Sequence, residues 1–252
     1  ATGGVLPFAQ EQAGEQADGE LLHLVYVLSE GSVTGIDEVL INEEPVSEYG
    51  SHISYELITN PSEADPYLLE HCPDWREDMI GRGLSYVRVT LKYSSEKFQG
   101  GLPDIRFVVR GIPVYDPRTG AEAYSENTAL HILWFLRERC GVPPSEIDMA
   151  SFIAAANICD QQVENPDGSF SPRYRTGCVI GADEKKTQVL DKLKAACAGR
   201  LLRVGGKWLL QVGAYYGPAD FTITEDMVIG TVSGSTEVSN DQALNTIRGT
   251  FV

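Results

Sequence analysis

Two neighbouring carboxylates are the first residues in this chain whose types and spacing suggest chemistry. Glu77 and Asp78 adjoin each other in a stretch, residues 60–83, that also contains three prolines. Glycoside hydrolysis needs two carboxyl groups held several ångströms apart. The stretch is so rich in acidic residues that adjacent carboxylates are expected by chance, so we interpret it as a long solvated loop. We predict no catalytic residue.

Cysteines and histidines are the other candidates for catalysis or metal binding. The five cysteines include no CxxC pair, and the four histidines are scattered. His71 and Cys72 are the one adjacent pair, and two ligands do not make a zinc site. Cys140 follows a predicted helix, whose dipole raises the pKa of a thiol at its C-terminal end. We therefore expect no metal, no cofactor and no disulfide framework.

Aromatic residues in the acidic first part suggest another class of function. Trp75, Tyr67 and Tyr49 could stack on a sugar while neighbouring carboxylates bind its hydroxyl groups. The alternative is that Trp75 holds the loop against its own domain or a neighbouring subunit, because large aromatic residues are enriched at protein interfaces. We favour the second interpretation and take Trp75 and Tyr67 as candidate interface residues.

The excess negative charge lies entirely in the first third of the chain. Residues 1–80 contain 17 acidic residues and a single basic one, Arg76, whereas residues 81–252 contain 19 of each. Such a surface repels phosphate, so adhesive binding of nucleic acid is not expected there. A solubilising acidic face would account for the charge, and so would a wall past which DNA moves without sticking.

Residues 1–19 have the composition of an extended arm, rich in Gly, Ala, Gln and Glu. They contain no Lys or Arg, so basic contacts cannot dock the arm. Docking would use the backbone and the apolar side chains of Val5, Leu6 and Phe8, as in strand addition to a neighbouring protein. Phe8 is therefore a third candidate interface residue.

Apolar periodicity predicts several strands. The strand at residues 84–93 alternates most regularly, with Tyr86 and Arg88 on a face that we expect to be open to solvent. Gly205-Gly206 is a favoured two-residue hairpin turn. The predicted strands are residues 21–28, 35–41, 52–58, 84–93, 105–109, 112–115, 173–180, 201–204, 207–212, 221–223 and 245–252.

Three helices are predicted between these strands. The first runs to Arg139 and is capped by Asn127 or Ser125, the second is capped by Asp148, and the third by Asp183. Their apolar stripes are typical of core-facing helices rather than of a ligand pocket. A short helix is also expected around residues 67–71.

Strands followed by helices and then strands again predict an α+β fold. We divide the chain into an arm (1–19), a β-rich domain (20–118), an α+β domain with three helices (119–217), and strands (218–252) that return to the first domain or begin another. No apolar run approaches the length needed to cross a membrane, so we expect no membrane-spanning segment.

A family resemblance rests on several sequence blocks that occur in order. Residues 102–118, LPDIRFVVRGIPVYDPR, resemble a signature stretch of the host-specificity, or tip attachment, proteins of lambda-like phages. Blocks that resemble the same family precede and follow it: residues 22–36, 125–134, 147–160, 189–201 and 205–209. The resemblance covers about residues 20–252, and it is the order of the blocks that is specific.

The resemblance implies a structural virion protein at the phage tail tip. The family forms a trimeric hub that closes the distal end of the tail tube, built from barrel-like hub domains shared with contractile-tail baseplates, here with a three-helix α/β insertion. Implied partners are distal tail, tail-tip and tape-measure proteins, with DNA passing unbound and the host receptor contacted by parts outside this chain. In such a trimer we expect the first third to line the lumen, through Glu43, Glu44, Asp74 and Asp78. A carbohydrate-binding or cell-wall hydrolase module of a tail tip is the alternative.

Overall fold

The computed structural model describes residues 19–98, 101–215, 217, 221–231 and 234. The chain divides into two units, Ala1–Gly213 and Ala214–Val252. In the described part of the second unit, the regular structure is one 3₁₀ turn at Glu225–Met227. The first unit contains two hydrophobic cores, one built from residues 26–107 and the other from residues 114–212, and we treat them as two modules.

The first module is made mostly of strands. Its elements are β1 (Leu21–Glu30), β2 (Gly35–Ile41), β3 (Glu44–Pro45), a 3₁₀ segment (Val46–His52), β4 (Ile53–Thr59), α1 (Pro66–His71), β5 (Leu84–Lys92) and β6 (Ile105–Arg110). They form two three-stranded antiparallel sheets, in the orders β1–β5–β4 and β3–β2–β6.

The two sheets pack face to face around one core. Val87 and Val89 of β5 are fully buried, and the rings of Tyr26 and Phe107, one from each sheet, have centroids 5.4 Å apart. Burial of such apolar side chains is the main stabilising term of a small module. Among the described residues, the sheets do not close into a barrel.

The expectation that β5 is open to solvent on one face is wrong. The strand alternates as predicted, but Tyr86 is 3% exposed and Arg88 is 8% exposed, so both faces are buried from Ser85 to Val89. The reason is that residues 60–83 fold back over the outer face of this sheet, as described below. Alternation predicts which side chains share a face, and it cannot show what covers that face.

The second module combines helices with short hairpins. Its elements are β7 (Val114–Asp116), β8 (Ala121–Ala123), α2 (Thr128–Trp134), a π-helical turn (Phe135–Arg139), a 3₁₀ turn (Pro144–Glu146), α3 (Met149–Cys159), β9 (Gln162–Glu164), β10 (Phe170–Pro172), α4 (Lys186–Ala196), β11 (Arg200–Val204) and β12 (Lys207–Gln211). The strands pair as three antiparallel hairpins, and together with the first module this is a mixed α+β fold.

Side chains cap two of the three helices as predicted. Asn127 accepts hydrogen bonds from the backbone N–H groups of Ala129 and Leu130, and Asp148 accepts one from Ala150. The prediction for the third helix is wrong: α4 begins at Lys186 without a side-chain cap. Asp183 instead lies in a turn that is closed by a hydrogen bond from the Glu184 N–H to the Gly181 carbonyl.

The core of the second module lies where α2, α3 and α4 meet β12. Phe152, Leu130 and Ile132 are among its fully buried side chains, and Leu193 and Leu210 complete it from α4 and β12. The β11–β12 hairpin turns at Gly205-Gly206, with φ angles of 58° and 81°. These angles belong to the left-handed region that a two-residue hairpin turn of this kind requires.

Two predicted strands are not found. Residues 173–180 make only an isolated bridge, and the backbone N–H groups of Tyr174 and Thr176 donate to the carbonyls of Cys159 and Glu126 rather than to a strand. Residues 221–223 are not a strand either. The strand predicted at residues 245–252 and the arm residues 1–18 lie outside the described residues.

No helix in the part of the chain that the structure describes is long and apolar enough to cross a membrane.

Candidate interaction surface

The acidic loop, residues 60–83, connects β4 to β5 and covers the outer face of the β1–β5–β4 sheet. Strand register places Glu56 opposite Arg88, and His23 opposite Thr90. All four side chains therefore project from the face opposite to Val89, which lies in the core. Arg88 lies at the centre of this face, and the acidic loop folds back onto its side chain.

Arg88 binds one carboxylate from the sheet and one from the loop. Its guanidinium donates to Asp65 Oδ1 at 2.7 Å and also pairs with Glu56. The same oxygen of Asp65 accepts the backbone N–H of Tyr67 at 2.9 Å, which caps α1, and Pro66 occupies the first turn, where no N–H is needed. One buried carboxylate thus starts the loop helix and fixes it to the sheet.

The ring of Tyr67 is enclosed by side chains of its own chain. The Arg88 guanidinium carbon lies 4.0 Å from the ring centroid, and the imidazole of His71 stacks at 4.1 Å. His23 meets the ring in an edge-on arrangement at 5.4 Å, and its Nδ1 is 3.1 Å from Thr90 Oγ1. Cation–π and aromatic contacts therefore hold this part of the loop against the sheet.

Burial changes the titration of this cluster. Burial lowers the pKa of His23, and electrostatic interactions with His71 and Arg88 lower it further. Burial raises the pKa of Tyr86 to about 12, and the nearby Asp65 carboxylate acts in the same direction. Both side chains are neutral near pH 7, so Arg88 is the cation that the two carboxylates hold.

The solvent side of the loop presents carboxylates. These exposed residues are Glu63, Glu70, Asp74, Glu77 and Asp78. Arg76 donates to Asp78 at 3.0 Å, and this hydrogen bond lowers the pKa of Asp78. The loop therefore combines an inward-facing buried anchor with an outward-facing anionic surface, which can repel phosphate or attract a basic partner.

The four predicted lumen residues belong to two different places in the first module. Glu43 and Glu44 lie at the β2–β3 turn, where Asn42 and Glu43 adopt positive φ angles, and Glu43 pairs with Arg106 at 3.4 Å. Asp74 and Asp78 lie on the acidic loop, over the other sheet. All four are exposed, and their position relative to a tail lumen stays a prediction.

The predicted aromatic residues also differ in their surroundings. Tyr49 is 6% exposed and stacks on Phe98, so it cannot offer a ring face to a sugar. Trp75 is half-buried, and its Nε1 is buried without a hydrogen-bond partner among the described residues. Phe8 lies outside the described residues. The interface roles of Trp75, Tyr67 and Phe8 stay predictions.

Thiols and carboxyl groups of the described residues show pKa shifts in opposite directions. Burial raises the pKa of the Cys140 and Cys159 thiols, and that of Cys197 to about 11. The carboxyl pKa values that shift among the described residues all shift downward, as for Asp116 beside Arg118. No cluster of three His, Cys, Asp or Glu residues in the described ranges is arranged to hold a metal ion.

The residues at the centre of this surface were not singled out by the sequence. In the sequence, Arg88 is one polar member of an alternating strand, and Asp65 is one of many acidic residues in the loop. The signal that was available is local: Asp65 directly precedes Pro66, a combination typical of a helix start. Nothing local connects Asp65 to Arg88, because 23 residues separate them.

Comparison with known proteins adds no family assignment. No protein-family model matches the chain. No curated protein matches it either.

Proposed function

We propose that this chain is a structural virion protein that forms the trimeric hub at the distal end of a long-tailed phage tail. In this role it closes the tail tube, contacts distal tail, tail-tip and tape-measure proteins, and lets DNA pass without binding it. Attachment to the host receptor belongs to parts outside this chain.

The observation that carries the proposal is the order of the family-like blocks and where they fall in the fold. Residues 102–118 span β6 and β7 and so join the two modules. Residues 125–134 and 147–160 cover α2 and α3, and residues 189–201 and 205–209 cover most of α4 and of the β11–β12 hairpin. The last four of these blocks therefore supply elements that pack in the core of the second module, which supports reading them together rather than as separate chance similarities.

The acidic loop supports the second part of the proposal. Its outward carboxylates are held on an anchored loop, because Arg88 and Asp65 fix the loop to the sheet. Cyclic symmetry would repeat that surface three times around an axis. A lumen lined in this way repels the phosphates of DNA and keeps the passage free of adhesion.

Open strand edges in the first module fit assembly with further copies. Among the described residues, β1 and β4 each pair only with β5, and β6 pairs only with β2. Unpaired edges are positions at which another chain can add a strand. We propose that neighbouring copies complete a hub barrel there.

The same structure gives less support to a hydrolase. The carboxyl pKa values that shift, such as those of Asp78 and Asp116, are lowered. The acid of a glycosidase instead needs a raised pKa. The thiol pKa values of Cys140 and Cys159 are raised, whereas a nucleophilic cysteine needs a lowered one. These shifts do not supply the acid or the nucleophile that the hydrolase alternative requires.

Cryo-electron microscopy of particles that carry this protein tests the proposal. We expect three copies around the tail axis at the distal end, with Asp74 and Asp78 facing the lumen. A chain that is absent from the particle, or present as a monomer away from the axis, would overturn the hub. Three copies with the acidic loop on the outer rim would keep the hub and overturn the lumen assignment.

A further inference from the structure

A cleft of about 240 Å³ opens between helix α2 and the β7–β8 hairpin. Tyr115 and Glu122 are directly opposite each other in the hairpin and form one wall. Leu133, 1% exposed, is the apolar floor, and Trp134 and Arg137 come from the helical side. Because Leu133 and Arg137 are four residues apart, a single helical face carries both.

The polar groups of this cleft have unused hydrogen-bonding capacity. The guanidinium of Arg137 lies 5.1 Å from the Tyr115 ring centroid, and its nearest carboxylate, that of Glu138, is 4.0 Å away. Within the described part of the chain, Arg137 and Glu122 make no side-chain hydrogen bond. By contrast, Arg118 in the same module donates to Asp116 and Asp160, each at 2.7 Å. Glu122 and Glu138 are exposed and Arg137 is half-buried, so these donors and acceptors face solvent and are accessible to a ligand.

The backbone is unusual at the same place. The chain widens from α2 into a π-helical turn at Phe135–Arg139, closed by a hydrogen bond of 2.9 Å from the Cys140 N–H to the Phe135 carbonyl. Such turns are rare and are frequently found at functional sites. Arg137 and Glu138 lie within this turn, so the distortion and the solvent-accessible polar groups of the cleft coincide.

We propose that this cleft binds one saccharide ring. Two carboxylates, Glu122 and Glu138, against one guanidinium disfavour an anionic ligand. Hydroxyl groups, in contrast, donate to the carboxylates and accept from Arg137, so a polyol satisfies both kinds of group. The rings of Trp134 and Tyr115 add a small apolar contact area beside these polar groups. A volume of about 240 Å³ suits one ring rather than a folded peptide.

The binding experiment uses the purified chain and simple probes. Methyl glycosides of glucose, galactose, mannose, rhamnose and N-acetylglucosamine are titrated, with saturation-transfer NMR and tryptophan fluorescence as readouts. We expect weak saturable binding of at least one probe, with a Kd on the order of 1 mM. The variants are Arg137→Gln and Glu122→Gln, and each should weaken binding about tenfold, the loss of one well-placed hydrogen bond.

Arg203→Gln is the matched control. Arg203 also lies over an aromatic ring, that of Trp208, at 5.5 Å, and it pairs with Glu146, away from the cleft. This variant should bind like the unchanged protein, and unfolding curves should confirm that all three variants are folded. Failure of every probe to bind, or equal binding by the cleft variants and the control, would overturn the proposal. Binding of an acidic peptide alone would also overturn it and would assign carboxylate recognition instead.

The saccharide site does not rest on the hub proposal. Binding is measured on the isolated chain, whereas the hub is tested by the position of the chain in the particle, so each can fail without the other.

Discussion

Arg88 and Asp65 lie 23 residues apart in sequence, yet the arginine Nη1 donates to the aspartate Oδ1 at 2.7 Å. Their side chains are 10% and 5% exposed, so the ion pair is buried. A buried pair is a constraint more than a source of net stability, because two charges had to leave water to form it. Its effect is to fix the start of helix α1, and with it the acidic loop, to the outer face of the sheet.

Replacing Arg88 with Met should release the loop and destabilise the first module. The change leaves the Asp65 carboxylate buried and uncompensated, which typically costs about 3 kcal/mol of unfolding free energy. Urea unfolding measures the loss. Trypsin should also cut faster after Arg76 and Arg82, both of which lie in the loop.

Arg76→Ala is the control for this prediction. Arg76 also pairs with an aspartate of the loop, Asp78, but the two side chains are 65% and 72% exposed. Exposed pairs contribute little, so the unfolding free energy should not change measurably. If the two substitutions lowered the unfolding free energy equally, burial of the Arg88–Asp65 pair would not be what holds the loop.

Asn127 should stabilise the second module through two separable sets of hydrogen bonds. Its Oδ1 caps α2 by accepting the Ala129 N–H at 3.0 Å, and its Nδ2 donates to the Ala156 carbonyl and to Asp160 Oδ1 at 2.9 and 2.8 Å. Asn127→Ala removes both sets and should cost about 2 kcal/mol. Thermal or urea unfolding is the measurement.

Asn127→Ser separates the two contributions. Serine keeps a capping oxygen but cannot reach from α2 to Ala156 and Asp160, so we expect it to recover about 1 kcal/mol, the usual effect of a cap. Full recovery by serine would show that the bridge between α2 and α3 contributes nothing. No recovery would show that the cap is dispensable.

Elements that depend on local chemistry were predictable from the sequence. Asn127 and Asp148 cap helices because a side-chain oxygen needs only the N–H groups two or three residues ahead. The β11–β12 hairpin follows from Gly205-Gly206 for the same reason. Asp183 shows the limit of this reasoning, because a competing turn at residues 181–184 forms there instead.

Long-range contacts were not predictable in this way. The burial of Arg88 depends on a loop that returns to its own sheet, and residues 173–180 bond to carbonyls at Cys159 and Glu126 that no local pattern identifies. The candidate site shows the same limit. Composition grouped Glu43 with Asp74 because both are acidic, whereas the structure places them with different sheets.

Gly213→Ala should destabilise the second module by overpacking. A Cβ at this position would lie 2.7 Å from the Ala198 Cβ and 3.0 Å from the Tyr174 hydroxyl oxygen. Forcing such a contact into a packed structure costs roughly 1–3 kcal/mol. Gly205→Asn is the matched control, because nothing lies within 4 Å of its Cβ position and asparagine tolerates the φ of +58°. Unchanged unfolding of Gly213→Ala in urea would show that the site can relax.

His131 should make the stability of the second module fall on mild acidification. Its Nε2 donates to the Ser125 carbonyl at 2.7 Å, and burial lowers its pKa below the ordinary value of 6.5. The unfolded chain therefore binds the proton more readily than the folded one. The contribution of His131 is complete above about pH 6.5 and is lost progressively as the pH falls toward the lower pKa of the folded state.

The measurement compares unfolding free energies at about pH 7.5 and about pH 5.5, either side of the ordinary histidine pKa. His131→Gln keeps a donor for the Ser125 carbonyl but cannot bind a proton in this range. The variant should therefore lose less stability than the unchanged protein between the two pH values. His23, whose pKa is also lowered, contributes with the same sign in both proteins, so the difference between them isolates His131. An identical loss in the two proteins would show that His131 takes up its proton without disturbing the fold.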